Sequence, residues 1–177
     1  ILDKSQKSII DFYQSLDIKR MLISAPTSYG KTFIMREILY LNQEKYKNIL
    51  LVFPTVALLR ENALNMEELN QDKKMGYNVI KSIDCEIDCQ DRNIFVLTPE
   101  RAMQLLAQYP NIEIDFFFYD EMYKIDEDYC NDETDDNDEK VTIIKKLQKE
   151  DAIYGLGDKP GTLNKRGYSY INWNTDD

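Results

Sequence analysis

Short apolar runs alternate with helical stripes of apolar residues along the first 120 positions of the chain. The apolar spacing predicts helices over 3–17, 32–43, 56–69 and 99–110. Four runs are too short to be helices and are interpreted as strands at 21–23, 49–53, 94–97 and 114–119, with a weaker strand pattern over 77–83. Unbroken apolar runs of this length are typical of strands that are buried on both faces of a parallel sheet. The alternation therefore predicts an α/β fold in which ligands bind at the carboxyl ends of the strands.

The pattern changes after residue 120. Residues 126–139 form an acidic block without a basic residue, which predicts a solvated loop, and residues 141–149 have the spacing of a short helix. Four of the six glycines and the single tryptophan lie beyond residue 152, where the strand–helix alternation does not continue. We therefore divide the chain into an α/β domain over 1–151 and a glycine-rich tail over 152–177.

A candidate phosphate-binding loop lies between the first predicted strand and the helix that follows it. Residues 25–32 read Ala-Pro-Thr-Ser-Tyr-Gly-Lys-Thr. In such a loop the backbone N–H groups surround an anion, and the helix N-terminus adds partial positive charge. Lys31 would reach the β- and γ-phosphates of a nucleotide, and the Thr32 hydroxyl would bind a magnesium ion. The predicted phosphate-binding residues are Ala25, Pro26, Thr27, Ser28, Tyr29, Gly30, Lys31 and Thr32.

Asp120 and Glu121 follow the fourth predicted strand directly. A lone Asp-Glu pair is usually an ordinary helix N-terminus, but a phosphate-binding loop upstream favours a catalytic interpretation. Asp120 would hold the magnesium ion through water, and Glu121 would orient and deprotonate the water that attacks the γ-phosphate. Together with Lys31, the pair predicts a site for nucleotide hydrolysis.

Composition limits the other functions. The chain has 177 residues, 43% of them hydrophobic, and a formal net charge of −10 with no histidine, which excludes catalysis that depends on histidine. Much of the negative charge lies in residues 126–139, so the total neither favours nor excludes a nucleic-acid partner. No apolar run approaches the length of a membrane span. Because the first residue is Ile1, we expect an excised domain or a processed fragment.

The three cysteines, Cys85, Cys89 and Cys130, are too few for an all-cysteine zinc site and odd in number for a disulfide framework. Cys85 and Cys89 are spaced as a metal or redox pair, but free thiols in a reducing compartment are the more ordinary interpretation. We therefore expect a cytoplasmic location.

The motifs taken together resemble the first RecA-like domain of a superfamily 2 DNA/RNA helicase of the DExD/H-box type. Residues 25–32 match motif I, 54–58 resemble motif Ia, 98–101 are close to motif Ib, and 120–123 occupy motif II. The resemblance implies a RecA-like P-loop NTPase fold, a parallel central sheet with helices on both faces, and the cofactors ATP and Mg²⁺. It further implies that Gln6 contacts adenine and that single-stranded DNA or RNA binds at Pro54, Thr55, Thr98, Pro99 and Arg101.

Several positions depart from the helicase pattern. Ser28 replaces a second glycine, and Tyr123 replaces the usual Asp or His. The Ser-Ala-Thr sequence of motif III and the second RecA-like lobe, which is the domain's partner in the family, do not occur in this sequence. We therefore expect weak nucleotide binding, poor hydrolysis and no unwinding by this chain alone.

The tail resembles a different family. Residues 153–176, with Gly-x-Gly-Asp, Leu-Asn-Lys-Arg-Gly-Tyr and Trp-Asn-Thr-Asp, are similar to the N-terminal signature of family 31 glycoside hydrolases. In that family the catalytic aspartates lie in a downstream barrel, so no glycosidase site is transferred to this chain. We expect a fusion or junction that packs poorly against the α/β domain. Two alternatives stay open, a carbohydrate-active fragment and a non-catalytic interaction module with a relict phosphate loop.

Overall fold

The computed structural model describes residues 2–24, 30–120, 151–155 and 169–172. Within these ranges the chain forms four helices and seven strands. The helices are α1 (Lys4–Ser15), α2 (Lys31–Asn42), α3 (Val56–Asp72) and α4 (Pro99–Gln108). The strands are β1 (Arg20–Ser24), β2 (Asn48–Val52), β3 (Asn78–Ile80), β4 (Asn93–Leu97), β5 (Phe116–Tyr119), β6 (Asp151–Gly155) and β7 (Ser169–Asn172).

The seven strands form one sheet in the order β3-β4-β2-β5-β6-β1-β7, and every pairing is parallel. Strand β2 lies between β4 and β5, with Ile49 opposite Ile94 on one side and opposite Phe116 on the other. Every residue of β2, β4 and β5 is buried. The predicted parallel α/β fold is confirmed, and its strands are continuous apolar runs because helices cover both faces of the sheet.

Two hydrophobic clusters show how the helices divide between the faces. Alternate strand residues point to opposite faces, so Leu50 and Phe117 pack with α4, whereas Leu51 and Phe118 pack with α1, α2 and α3. Burying one such side chain contributes on the order of 1.5–3 kcal/mol before the entropy of ordering is subtracted. The predicted arrangement of helices on both faces is confirmed.

Side-chain caps determine where three of the helices begin. Asp3 and Gln6 form a reciprocal capping box at α1, in which Asp3 Oδ1 accepts from Gln6 N at 2.8 Å. Thr55 Oγ1 accepts from Leu58 N at 3.2 Å at the start of α3. Thr98 caps α4, with Pro99 in the first turn. Each cap satisfies a backbone N–H group that has no partner within its own helix.

Residues 152–155 and 169–172 lie within the sheet, so the expectation that the tail packs poorly was wrong for these described parts of it. Strand β6 runs between β5 and β1, with Ile153 opposite both Phe118 and Met21, and Ala152 and Ile153 are fully buried. A five-residue strand has too little periodicity to be recognised beside a glycine-rich segment. The division of the chain at residue 151 stays a prediction, and the acidic block 126–139 and the predicted helix 141–149 lie outside the described residues.

A hydroxyl relay connects α1, the segment between α2 and β2, and β6. The Tyr13 and Tyr46 hydroxyls are 2.9 Å apart, and Tyr46 donates to Asp151 Oδ2 at 2.9 Å. Burial raises the pKa of both tyrosines above their ordinary value, so both stay protonated at neutral pH. The relay ties the first residue of β6 to α1 and to the segment between α2 and β2.

Candidate functional site

The carboxyl ends of four strands bring the predicted motifs to one edge of the sheet. Strand β1 leads towards the predicted phosphate loop, β2 towards Thr55, β4 towards Thr98 and β5 towards Asp120. Backbone hydrogen bonds between neighbouring strands continue just beyond the strand ends. Phe53 N donates to Leu97 O at 3.0 Å, and Asp120 N donates to Val52 O at 3.1 Å. Residues that are far apart in sequence therefore lie along a single edge.

Lys31 and Asp120 approach each other at this edge. Lys31 is the first residue of α2 and is 3% exposed, and its Nζ lies 4.0 Å from Oδ1 of Asp120, which is 8% exposed. Removing an ammonium and a carboxylate from water is costly, and it is offset only where each group has partners of opposite charge. A phosphate group for Lys31 and a divalent cation for Asp120 are partners of that kind. The residue types and their positions fit a magnesium–nucleotide complex.

A cavity of about 140 Å³ adjoins this pair. Its wall includes Thr32 at the start of α2 and three polar side chains of α3. The full lining is Lys31, Thr32, Leu58, Glu61, Asn62, Asn65 and Asp120. The contribution of α3 was not predicted from the sequence, although Leu58, Asn62 and Asn65 are spaced along one helical face.

Gln6 lies next to Gly30, the last residue of the predicted loop before α2. Gly30 has a left-handed backbone with φ of 79°, and a Cβ atom built on it would lie 3.2 Å from Gln6 Nε2. The oxygen of the same Gln6 amide, Oε1, accepts a hydrogen bond from Asp3 N at 3.1 Å, which holds the side chain in place. The capping box of α1 thus orients the predicted adenine-contacting residue beside the loop.

Part of the predicted site lies outside the described residues. Ala25, Pro26, Thr27, Ser28, Tyr29 and Glu121 belong to this part, so their assignment to phosphate binding and catalysis stays a prediction. The structure brings together the other predicted nucleotide-site residues, Gln6, Gly30, Lys31, Thr32 and Asp120.

A second, more open cavity of about 380 Å³ lies beside the N-termini of α3 and α4. We call it the basic groove, and its lining is Val56, Leu59, Arg60, Leu64, Lys81, Ser82 and Arg101. Arg101 Nη1 donates to Lys81 O at 3.0 Å, and Lys81 Nζ lies 3.2 Å from Glu67 Oε1. The side chains of Val56 and Leu64 are 39% and 58% exposed. Cationic side chains can contact the phosphates of a nucleic acid, and exposed apolar side chains can contact its bases.

Of the five residues predicted to contact nucleic acid, Arg101 lines the groove directly. Thr55 is exposed, although its hydroxyl caps α3, and Pro54 is half-buried. Thr98 and Pro99 are buried and serve to begin α4. Arg60 and Lys81 were not predicted from the sequence, because they reach the groove only when α3 and the segment after β3 pack side by side.

The cysteines within the described part of the chain are free thiols. Cys85 is exposed, and Cys89 is half-buried, which raises the pKa of its thiol. No group of three potential acidic or thiol metal ligands occurs among the described residues. Helices in the same ranges are also too short or too polar to cross a membrane.

The topology and the edge just described define the fold of a RecA-like helicase domain. Three solved structures share it: the helicase domain of Hef from Pyrococcus furiosus, a hypothetical ATP-dependent RNA helicase from Sulfolobus tokodaii, and the DUF1998 helicase MrfA. Their TM-scores are 0.66, 0.60 and 0.64, at 20%, 15% and 14% identity. The matches cover 98%, 96% and 97% of this chain and 38%, 57% and 30% of those chains.

Two curated proteins are similar in sequence. Anti-bacteriophage protein B of Escherichia coli K12 is 29% identical over 167 residues, which is 89% of this chain and 22% of that protein. The ATP-dependent DNA helicase Hel308 of Thermoplasma volcanium is 28% identical over 117 residues, which is 63% of this chain and 17% of that protein. The chain spans about a fifth of the length of these relatives.

A family description also matches the chain. The N-terminal galactose mutarotase-like domain of glycosyl hydrolase family 31 matches residues 52–177, well over half of the chain, and the chain belongs to this family. The matched range includes residues 153–176, which carry the signature noted in the sequence. It also includes residues 52–120, which form the sheet and helices from the end of β2 to Asp120. The chain thus combines family 31 membership with a helicase-type fold.

Proposed function

We propose that this chain is the ATP-binding and hydrolysing lobe of a superfamily 2 nucleic-acid helicase or translocase. The observation that carries the proposal is the approach of Lys31 to Asp120 at the carboxyl edge of the sheet, at 4.0 Å. A cation and a carboxylate buried at this position, at the start of a helix, are the two charges that a magnesium–nucleotide site requires. The helicase-type fold supports the same assignment.

In this proposal each residue has one task. Lys31 binds the β- and γ-phosphates, Thr32 and Asp120 hold Mg²⁺, and Glu121 orients the attacking water. When bound there, the ion would supply positive charge next to the phosphate oxygens. Gln6 presents its amide to adenine. The backbone of residues 25–30 supplies N–H groups to the phosphates.

The basic groove is the proposed binding surface for a single strand of DNA or RNA. Arg60, Lys81 and Arg101 supply the positive charge, in a protein whose total charge is −10. Phosphate contacts of this kind hold a strand without reading its sequence. Pro54, Thr55, Thr98 and Pro99 border the same edge and would contribute backbone groups.

Full motor activity would require a second RecA-like lobe, either from a longer protein or from a partner. We propose that the isolated chain binds nucleotide weakly and hydrolyses it slowly. The free thiols and the helicase-type fold support a cytoplasmic location.

The test is binding of Mg·ATP by isothermal titration calorimetry. Wild type should bind, and Lys31→Ala should lose at least about tenfold in affinity, because the lost contact is a charge-assisted hydrogen bond to phosphate worth about 1.5–3 kcal/mol. Lys45→Ala is the matched control, since exposed Lys45 lies beyond the far end of α2. Equal affinities of wild type and Lys31→Ala would refute the proposal.

A second candidate function rests on the family 31 match over residues 52–177. It predicts that the chain binds α-glucosides through its glycine-rich segment. Calorimetry with maltose on the full chain and on a chain that ends at Gly155 separates the two proposals. Binding that is the same in both chains, or absent from both, would dispose of the carbohydrate function without affecting the nucleotide proposal.

A further inference from the structure

Helix α3 is the wall between the two cavities at the functional edge. Arg60 and Leu64 line the basic groove, one turn apart, whereas Glu61 and Asn65 line the cavity next to Lys31, also one turn apart. Neighbouring positions on a helix point about 100° apart, so one helix can supply adjacent residues to two different sites. The nucleotide side of α3 therefore carries side chains that no motif assigns to the nucleotide.

Glu61 brings a second carboxylate to a small cavity that already contains Asp120. Both carboxylates line the same cavity of about 140 Å³ as Lys31 and Thr32. In the proposed function Lys31 binds phosphate, and the two carboxylates offer acceptor oxygens to a hydrated cation in the same cavity.

Two other polar groups lie near Glu61. Arg36 of α2 interacts electrostatically with Glu61, but also with Glu37 and Glu68, so its single charge is shared among three carboxylates. Asn62 is 4% exposed, and its Nδ2 donates to Leu58 O at 2.8 Å within the helix. Glu61 itself is exposed and so remains accessible to a hydrated ion.

We propose that Glu61 is a positioning residue for the metal ion of the nucleotide site. Its carboxylate would accept hydrogen bonds from the water molecules of the hydrated Mg²⁺ ion that Thr32 and Asp120 would hold. This inference rests on the proposed nucleotide function. Mg²⁺ keeps several of its waters when it binds to proteins, and carboxylates outside the inner ligand sphere commonly hold those waters in place.

The consequence for α3 is a physical connection between the two sites. Thr55 caps the helix beside the basic groove, and Glu61 lies within its second turn. A nucleic-acid strand bound at the N-terminus of α3 and a metal ion held by Glu61 would therefore both contact the same helix.

The experiment measures the affinity of the 177-residue chain for a fluorescent ADP analogue as the Mg²⁺ concentration is varied. Glu61→Gln keeps the size and hydrogen-bonding capacity of the side chain but removes its charge. In this variant, about tenfold more Mg²⁺ should be needed to reach half of the maximal increase in affinity for the ADP analogue. Losing a group that supports the metal ligands usually has an effect of this size. The variant's affinity for ADP without metal should equal that of wild type.

Glu68→Gln is the matched control, because Glu68 lies on the same helix and also interacts with Arg36 but does not line the cavity. It should keep the wild-type dependence on Mg²⁺. Asn65→Asp introduces a carboxylate into the same cavity, so it should lower the Mg²⁺ requirement in wild type and partly rescue Glu61→Gln.

The inference is overturned if Glu61→Gln and Glu68→Gln respond to Mg²⁺ as wild type does. It is also overturned if Glu61→Gln weakens metal-free ADP binding as much as Mg·ADP binding, since a general structural effect would act on both. Neither result affects the proposed function. Wild type that binds no nucleotide at all refutes the proposed function, and this inference falls with it.

Discussion

The Tyr46 hydroxyl donates a hydrogen bond of 2.9 Å to Oδ2 of Asp151, which lies 105 positions further along the chain. Asp151 is the first residue of β6, the strand that fills the space between β5 and β1. The same hydroxyl lies 2.9 Å from that of Tyr13 on α1. These contacts join α1 and the segment after α2 to a strand that was not predicted from the sequence and that begins at the predicted border of the domain.

Tyr46→Phe should destabilise the protein by about 1.5–3 kcal/mol, the usual contribution of a hydrogen bond to a charged group. The ring and its packing against Phe116 are retained, so the loss reports on the hydroxyl. Urea unfolding gives the free energy. Tyr40→Phe is the control, since the half-buried Tyr40 ring keeps its contact with the Lys73 ammonium, and we expect a change below about 0.5 kcal/mol. Equal effects of the two substitutions would contradict a specific role for Tyr46.

Truncation tests the place of β6. A chain that ends at Gly155 keeps β6 between β5 and β1 and should unfold in one cooperative transition. A chain that ends at Glu150 loses the buried Ala152 and Ile153 and leaves β5 and β1 without a neighbour between them. We expect it to lose cooperative unfolding in urea, followed by circular dichroism. If the chains that end at Glu150 and at Gly155 unfold at the same urea concentration, the domain is complete before β6.

Gly30→Ala and Gly76→Ala form a matched pair, because both glycines have φ of 79°. At Gly76 a Cβ atom meets nothing within 4 Å, so only the left-handed backbone is penalised, by about 1–2 kcal/mol. At Gly30 the same atom would lie 3.2 Å from Gln6 Nε2 and displace it. Gly30→Ala should therefore cost more stability than Gly76→Ala in urea unfolding.

The excess should shrink in a double-mutant cycle with Gln6→Ala, which removes the displaced amide. An excess that persists without Gln6 would place the strain elsewhere.

The basic groove should show the salt dependence of phosphate contacts. Replacing Arg60, Lys81 or Arg101 by Ala should weaken binding of a single-stranded oligonucleotide to a similar degree for any sequence. Each change should remove about one phosphate contact. The slope of log K against log salt concentration should therefore become shallower by roughly 0.7, the value per contact for a single strand. Fluorescence anisotropy at several salt concentrations measures both quantities. Lys45→Ala, beyond the opposite end of α2, should leave the slope unchanged, and a loss of slope there would show that the binding is diffuse.

Alkaline pH should destabilise the fold through Tyr77. Burial raises the pKa of Tyr77 from 10.0 to about 12, and its hydroxyl donates to the carbonyl oxygens of Gln43 and Tyr46. The unfolded chain therefore releases this proton at lower pH than the folded one, and stability present below pH 10 is lost as the pH rises towards 12. Urea unfolding across this range should show a shallower decline for Tyr77→Phe. Parallel declines would exclude Tyr77 as the source.

The sequence by itself determined the local elements at the functional edge. Apolar runs identified β2, β4 and β5, Thr98 and Pro99 identified the start of α4, and the Gly30-Lys31-Thr32 sequence identified the start of α2. These features depend on neighbours within a few positions, such as a cap that satisfies a free N–H group or a side-chain period that matches a helix or strand.

Only the tertiary structure decided which distant residues meet. The strand order placed Asp151 and β6 inside the sheet, between β5 and β1, although their sequence continues into a segment of different character. Packing of α1 brought Gln6 beside Gly30, and packing of α3 brought Glu61 towards Lys31. Such contacts depend on the order and orientation of whole elements, which are set by the burial of all apolar faces together and not by the few residues that finally touch.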